Sequence, residues 1–471
     1  MAPHPHFAAI VLAAGDGKRL RSARPKVLHR VGGRSLLGHV LEALRPLALG
    51  QTVVVASKRR DEIEAAVADE GHSNITFVVQ DPPRGTGDAA KIALAALDQQ
   101  ITKVIVLSGD TPLLRAATLA SMVERQETTG ASATLLTARV DDPTGYGRVV
   151  RAPDGRIERI VEHKDASPDE LVIDEINTGA YVFDRDALST VLPKLGSDNA
   201  QQEYYLTDTL SLLLDEGHSV SSFETVDGEG EGVNSRAQLA QAGEEMRRRT
   251  CEHWMDQGVT IVDPSSTFID STVTIAADAV ILPFTFLEGE TKIGPGAEVG
   301  PQVRIIDSTI DEGAVVTFAV VRGSQIGPNA TVGPFASLRP GTVLERGARA
   351  GTFVETKKTR IGKNSKANHL AYLGDATIGA GVNVGAGTIT CNWDGTEKHE
   401  TVIDDDAYIG SDTMLVAPVH IGKRAATGAG SVVKGDVPDD ALAVGVPARI
   451  IEGQGDKMDK APDKQPPDPR G

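Results

Sequence analysis

Two periodicities in one chain predict two folds: an α/β, Rossmann-like sheet domain, then a left-handed parallel β-helix built from a hexapeptide repeat. The first observation is a step of six through Ile275, Ile281, Leu287, Ile293 and Val299, each aliphatic and branched. The second is an alternation of short apolar runs with helix-like stretches from residue 7 to about 230. The third is composition. With 49 glycines and only 4% aromatics, the chain suits a coil filled by Ile, Val and Leu and turned at glycine corners.

A repeat of six fits neither the helical period of 3.6 nor the strand period of 2. It fits a solenoid in which three short strands make one triangular coil. Each coil then covers the apolar face of its neighbour. The phase recurs at Ile326, Val332 and Leu338, at Ile378 with Val384, and at Ile409, Leu415 and Ile421. Breaks fall near 305–310, 340–360 and 390–402. A β-sandwich gives no reason for one phase to return three times. Only the aliphatic stack is expected to point inward, with polar residues outside.

The chain has 471 residues and is 40% hydrophobic, enough for two or three domains with real cores. Its net charge of −17 disfavours nucleic-acid backbones and anionic lipid, so no nucleic acid and no membrane insertion are expected. An anionic substrate would need a local basic pocket. Cys251 and Cys391 make neither a disulfide framework nor a zinc site, which points to a reducing, cytoplasmic compartment. Phe7–Ala14 lacks a basic leader and is too short to span a membrane. It reads as a first buried strand.

In order, Phe7–Ala14 is a strand followed by the turn Gly15-Asp16-Gly17, and Leu37, Val40, Leu41 and Leu44 share one helical face. Thr52–Ala56 is a strand, Asp61–Ala68 a helix, Ile75–Val79 a strand, and Asp88–Leu97 a helix opened by Gly85-Thr86-Gly87. Lys103–Leu107 is a strand ending at Ser108-Gly109-Asp110. This is the pattern of a parallel sheet wrapped by helices, with ligands at the carboxyl ends of its strands. Residues 235–257 lack glycine and proline apart from Gly243 and read as a long helix, with Leu239, Met246 and Trp254 near one face and Arg247-Arg248-Arg249 outside. The expected organisation is a first domain over 1–234, a linking helix over 235–258, the solenoid over 259–452 and a disordered, apolar-poor tail over 453–471.

The string Leu12-Ala13-Ala14-Gly15-Asp16-Gly17-Lys18-Arg19-Leu20, with Pro25-Lys26 after it, carries the first chemistry. Glycines after a strand let backbone N–H groups close on a phosphate or base, and Arg19 and Lys26 add cations. A bare Gly-x-Gly is only a turn. The longer string resembles the signature of sugar-nucleotide pyrophosphorylases, which join a sugar 1-phosphate to a nucleoside triphosphate and release pyrophosphate. That resemblance assigns Leu12, Ala13, Ala14, Gly15, Arg19, Lys26, Gln80, Gly85 and Thr86 to the nucleotide. It assigns Gly147, Glu162 and Asn177 to the amino-sugar. Asp110, with Asn234 of Glu231-Gly232-Val233-Asn234, is assigned to Mg²⁺. Read without it, Asp110 is a solvated strand-end carboxylate and Glu162 an ordinary surface charge. The attacking phosphate is already anionic, so the protein's task is to offset repulsion and orient two anions.

The solenoid's interruptions carry the second chemistry: Arg339-Pro340-Gly341, the run Asn364 to Asp375 containing His369, Asn383 to Thr388, and Cys391-Asn392-Trp393-Asp394. A lone histidine is usually a surface or capping residue. Phe353-Val354-Glu355-x-Lys357-Lys358, Ser365 to Asp375 and Gly385 to Asn392 resemble the bifunctional N-acetylglucosamine-1-phosphate uridylyltransferase/glucosamine-1-phosphate acetyltransferases, over Phe7 to about Ala448. By that resemblance His369 is a general base that takes a proton from the sugar amine as it attacks acetyl-CoA. Arg339, Lys357, Tyr372 and Asn383 hold the sugar phosphate, and Ala386, Asn392, Trp393, Ser411 and Ala429 contact acetyl-CoA. The implied substrates are glucosamine 1-phosphate, acetyl-CoA and UTP, the implied assembly a homotrimer, and the product a precursor of cell-wall glycans.

Three positions depart from that pattern: Ser108 and Trp393 replace aromatic residues, and Gly445 of Gly445-Val446-Pro447 replaces an arginine that contacts the coenzyme. Arg449 is the nearest substitute. Two other readings remain open, a single-activity pyrophosphorylase with an inert solenoid and a non-enzymatic scaffold. Lys357, His369 and Asn383 weigh against the first, and Arg19, Lys26 and Asp110 against the second.

Overall fold

Strand β1 (His4–Ala13) runs through the middle of a nine-stranded sheet. The structure, a computed structural model, describes residues 3–15, 17–225 and 228–454. On one side of β1 lie β2 (Leu49–Ala56) and β3 (Ile75–Val79), on the other β4 (Lys103–Ser108), all in parallel. Phe7, Ala9, Val11 and Ala13 enter one core layer and Ala8 and Ile10 the other, so the whole run is apolar. Helices α1 (Leu36–Leu44), α2 (Arg60–Asp69) and α3 (Thr86–Leu94) fill the crossovers. The Ser35 hydroxyl accepts the Gly38 N–H at 2.9 Å and caps α1. Helix α3 starts two residues before its expected start and stops at Leu94.

Beyond α4 (Ala116–Thr129) the sheet departs from the parallel pattern. After β5 (Ala133–Arg139) come the hairpin β6 (Arg148–Arg151) and β7 (Ile157–Val161), then β8 (Glu175–Asp184). Strand β8 inserts antiparallel between β4 and β5, and β9 (Val220–Thr225) rejoins parallel to β5. A strand buried on both faces reads as the same apolar run in either direction, so hydropathy did not reveal the reversal. Asp184 caps α5 (Arg185–Val191) by accepting the Asp186 and Ala187 N–H groups, and α6 (Asp208–Asp215) follows.

The long helix is α7 (Arg236–Asp256). The chain divides into two compact units after Met246, inside this helix. In the first unit Leu239, Ala242 and Met246 pack with Val31, Leu36, Leu113 and Val233. In the second, Cys251 and Trp254 join the first coils' core. The arginine cluster is not wholly outside. Arg248 is exposed and ion-paired with Glu252, but Arg247 lies over the Phe268 ring at 5.0 Å.

The solenoid's three columns are explicit in its register. Ile269 lies against Leu287 and Leu287 against Ile305; Ile275 against Ile293 and then Ile310; Ile281 against Val299 and then Val316. All nine are buried. Each is worth about 1.5–3 kcal/mol of burial. The breaks have distinct causes. Near 305–310 a corner loses one residue, and Ile305 and Ile310 both stay in the stack. Over 340–360 threonines replace aliphatics: Thr356 shares a hydrogen bond with Thr342 at 2.9 Å, and the Thr359 hydroxyl donates to the Leu373 carbonyl. The inward stack is therefore not purely aliphatic; internal hydrogen bonds offset the burial of these hydroxyls. At 390–402 a loop bulges out, tied by a Trp393–Lys398 bridge, and Thr401–Ile403 resumes pairing with Ala376–Ile378. The last turn is not a regular coil: Leu442–Gly445 and Ala448–Ile451 form an antiparallel hairpin. Most of the tail expected to be disordered, 455–471, lies outside the described residues.

Candidate active sites

The carboxyl ends of β1 and β4 are neighbours, with Leu12 level with Ser108, and their turns open on a cavity of about 540 Å³. The Gly109 N–H donates to the Leu12 carbonyl at 2.9 Å and fixes the second turn to the first. Leu12, Ala13, Ala14, Gly15, Arg19, Lys26, Gln80, Gly85, Thr86, Asp110 and Asn234 all line this cavity. Asp16 lies outside the described residues. Gly17 has φ +59°, and a Cβ there would lie 2.6 Å from Lys26 Cβ, so the lysine stem needs a glycine. Gly85, at φ +106°, leaves no room either: a Cβ would meet the Tyr204 carbonyl at 2.6 Å. The Gln80 amide donates to the Gly85 carbonyl at 3.0 Å and to Asp88 at 2.8 Å, which fixes the side chain at the cavity wall.

A second cavity of about 190 Å³ adjoins the first and shares Leu12, Thr86, Ser108, Asp110 and Asn234 with it. Gly147, Glu162 and Asn177 line this smaller space. Asp110 and Asn234 thus stand at the junction. The Val233 N–H donates to the Asp110 carbonyl at 2.9 Å and ties the two loops together. Asp110 is ion-paired with the Lys26 ammonium, which also donates to Asn234 Oδ1 at 2.5 Å. Burial pushes the Glu162 carboxyl up; the Thr207 hydroxyl, donating at 3.1 Å, partly offsets this, and Asp208, Asp165 and Glu203 add to the rise. The Tyr146 hydroxyl, pushed up to about 12 chiefly by burial, accepts the Gly232 N–H, linking the 145–147 turn to the loop bearing Asn234.

In the solenoid, Arg339 and Lys357 occupy one column on one face. The Arg339 N–H bonds the Thr356 carbonyl, and the Arg339 guanidinium pairs with Glu355 at 3.0 Å. Tyr372 follows Glu355 in the adjacent column. His369 ends the strand Lys366–His369 on another face, level with Thr352 of the preceding coil, and Asn383 of the next coil pairs with Lys366 on the same strand. The two faces meet at Leu370, 61% exposed with φ +46°. His369 itself is exposed. Ala386, Ser411 and Ala429 stack at a corner of successive coils: the Asp412 N–H donates to Ala386 and the Gly430 N–H to Ser411. Asn392 is buried, its amide donating to Asp375 at 2.6 Å, and its neighbour Trp393 is exposed. Gly445, at φ +103°, turns the closing hairpin, and Arg449 lies exposed opposite Val444.

Residues 8–260 match the nucleotidyl transferase family model. The bifunctional protein GlmU of Thermobifida fusca is 50% identical over 452 residues, covering 95% of this chain and 93% of that one. GlmU of Heliobacterium modesticaldum is 48% identical over 438 residues, covering 93% and 94%. GlmU of Pseudarthrobacter chlorophenolicus is 47% identical over 451, covering 95% and 92%. This chain belongs to the GlmU family.

For a GlmU-family chain the geometry also adds residues that motif reading missed. Thr207 reaches Glu162 across 45 residues of sequence, and Tyr146 reaches Gly232 across nearly twice that separation. Nothing local signals either. Lys398, on the bulged loop, contacts Lys357 and holds its ammonium below the usual lysine range, with Arg339 adding to the effect. Three cations thus gather where a lone coil needs none. That loop is shaped by Asp394, which accepts the Thr396 and Glu397 N–H groups and pairs with His399.

Proposed function

We infer that this chain makes UDP-N-acetylglucosamine in two steps. As a GlmU-family enzyme it acetylates glucosamine 1-phosphate from acetyl-CoA in the C-terminal half. It then transfers a uridylyl group from UTP to N-acetylglucosamine 1-phosphate in the N-terminal half, releasing pyrophosphate. The observation that carries the second step is the pair of adjoining cavities sharing Asp110 and Asn234. One has room for a nucleotide and the other for a sugar, so the two anions meet beside one carboxylate.

The nucleotide lies along the Leu12–Gly17 turn, with the Gln80 carbonyl accepting from a pyrimidine N–H. Gly147, Glu162 and Asn177 hold the sugar. Arg19 and Lys26 lower the repulsion between a sugar-phosphate oxygen and the α-phosphorus it attacks, and pyrophosphate leaves in line. Asp110 and Asn234 already converge on a cation, the Lys26 ammonium, and two hard oxygen donors suit Mg²⁺. Bound there, Mg²⁺ would supply charge neutralisation at the phosphates.

In the solenoid, Arg339, Lys357, Tyr372 and Asn383 hold the sugar phosphate, with Lys398 as a further cation. His369 takes the amine proton as the nitrogen attacks the thioester carbonyl, and the coenzyme leaves as its thiol. Ala386, Asn392, Trp393, Ser411 and Ala429 line the coenzyme. The assembly proposed is a homotrimer with each acetyl-transfer site completed by a neighbour. Its support is an exposed apolar corner beside His369: Phe335 stacks on Phe353 at 5.6 Å, both more than half exposed, and Leu370 continues the row. Among the described residues no helix is long and apolar enough to cross a membrane. UTP and acetyl-CoA are cytoplasmic metabolites, and the cytoplasm is the compartment proposed.

The test is a single mixture of protein, glucosamine 1-phosphate, acetyl-CoA, UTP and Mg²⁺, with free CoA and pyrophosphate followed separately. Both signals are expected. Pyrophosphate alone, on supplying N-acetylglucosamine 1-phosphate, would leave an inert solenoid; neither signal would leave a scaffold.

A further inference from the structure

Lys26 sits where a metal is expected. Its ammonium bridges Asp110 and Asn234, the two residues proposed above as metal ligands. The lysine side chain is 11% exposed and the aspartate 16%, so the pair is largely withdrawn from water. A carboxylate so placed needs a positive partner, because an unpaired buried charge is costly. Lys26 provides one. Its backbone belongs to the short turn Lys26–Leu28, and its stem rests against Gly17. Val233 and Gln238 brace the opposite side: the Val233 N–H is bonded to the Asp110 carbonyl, and the Gln238 side chain accepts the Asn234 N–H at 2.9 Å.

A divalent ion held by those two oxygens would bring its charge against the ammonium already on them, so the two cations compete for the position. We propose that Lys26 is a resident cation that holds the metal position until a metal displaces it, so that metal entry and release of Lys26 into the nucleotide cavity are one exchange. The proposal rests on the reading of Asp110 and Asn234 as metal ligands. The same cavity is lined by Arg19 and the glycine turn. A released ammonium there faces the triphosphate, which gives it a new anionic partner. Without nucleotide, the only carboxylate besides Asp110 that lines the cavity among the described residues is Glu203, a single charge against the several of a triphosphate, so metal binding is less favoured. Metal and triphosphate then favour each other's binding, and by linkage the coupling is reciprocal.

The test uses Mn²⁺ as probe on the full chain without nucleotide, with free Mn²⁺ read by electron paramagnetic resonance. Lys26→Ala and Lys26→Gln should bind Mn²⁺ more tightly than wild type, by about tenfold or more, since each removes a competing charge at the ligands themselves. Arg19→Ala, which removes a cation from the same cavity but not from Asp110, should shift the affinity by less than about threefold. Unchanged or weaker binding in both Lys26 variants overturns the exchange. So does equal tightening in Arg19→Ala, which would mean a general field effect. Asp110→Asn separates the two layers of the argument: if it retains wild-type Mn²⁺ affinity, the metal reading itself falls. A measurement on unmodified protein guards against misfolded variants. Mg²⁺ alone should raise the rate at which an amine-acylating reagent labels Lys26, relative to Lys58 and Lys91, read by peptide mass spectrometry. An unchanged rate overturns the proposal.

Discussion

Lys26 illustrates how much one residue's meaning depends on its surroundings. The motif makes it a phosphate contact; the structure adds an ion pair with Asp110 that no motif encodes. Lys26→Ala is expected to lower uridylyl transfer by at least about a hundredfold, the scale of one preorganised electrostatic contact. Pyrophosphate release at saturating UTP checks it, and near-normal turnover removes Lys26 from the site. Glu162 gives a pH test. Burial first, then Asp208, Asp165 and Glu203, raises its carboxyl above its unfolded value. The charged form is therefore the penalised one. The native state loses stability as pH rises from the unfolded carboxyl value through the folded one. Glu162→Gln should thus melt higher than wild type at neutral pH, with the gap shrinking toward acid, while its KM for the sugar phosphate rises. Melting curves at a series of pH values decide it; a gap that does not change with pH refutes the assignment.

Among the elements, the turn after β1 is the most constrained. Gly17 combines a left-handed backbone with a stem-to-stem approach to Lys26. Gly17→Ala adds about 1–2 kcal/mol of backbone strain and a clash that displaces the lysine. The expected outcome is a loss of roughly a hundredfold in kcat/KM, as for a misplacement of about 1 Å, with acetyl transfer intact. Steady-state kinetics of both reactions check this. Such a turn is legible in sequence because its constraint is local: glycine, spacing and preceding strand all lie within a dozen residues. The direction of β8 was not legible. Its side chains meet apolar layers on both faces whichever way it runs. The solenoid's threonines were likewise not legible as core residues. Thr356, Thr359 and Thr390 look like interruptions, yet each hydroxyl finds a partner inside the coil.

At the scale of the whole molecule, the exposed corner through Phe335, Phe353 and Leu370 is the feature a lone coil leaves unexplained. Each of the three holds a left-handed backbone, with φ between 46° and 60°, which bulky residues seldom adopt. Phe335→Asp should break the proposed trimer by placing a charge in a covered apolar interface. Acetyl transfer is expected to fall by about tenfold or more, while uridylyl transfer stays within about twofold, because only the first site needs a neighbour. Light scattering coupled to size exclusion and the two-signal assay read both arms; a trimer that persists with full acetyl transfer sinks it.

By itself the sequence determined the two architectures and the glycine turn, because periodicity and spacing are short-range and each hexad or turn carries its own instruction; the candidate residues of both sites came from resemblance to a family. Tertiary structure alone decided that Asp110 and Asn234 stand between two cavities, that Lys26 rests on both, that Thr207 and Tyr146 line the smaller cavity, and that Lys398 joins Lys357. Those relations join residues far apart in the chain, and only the folded path that brings them together sets their distance and charge.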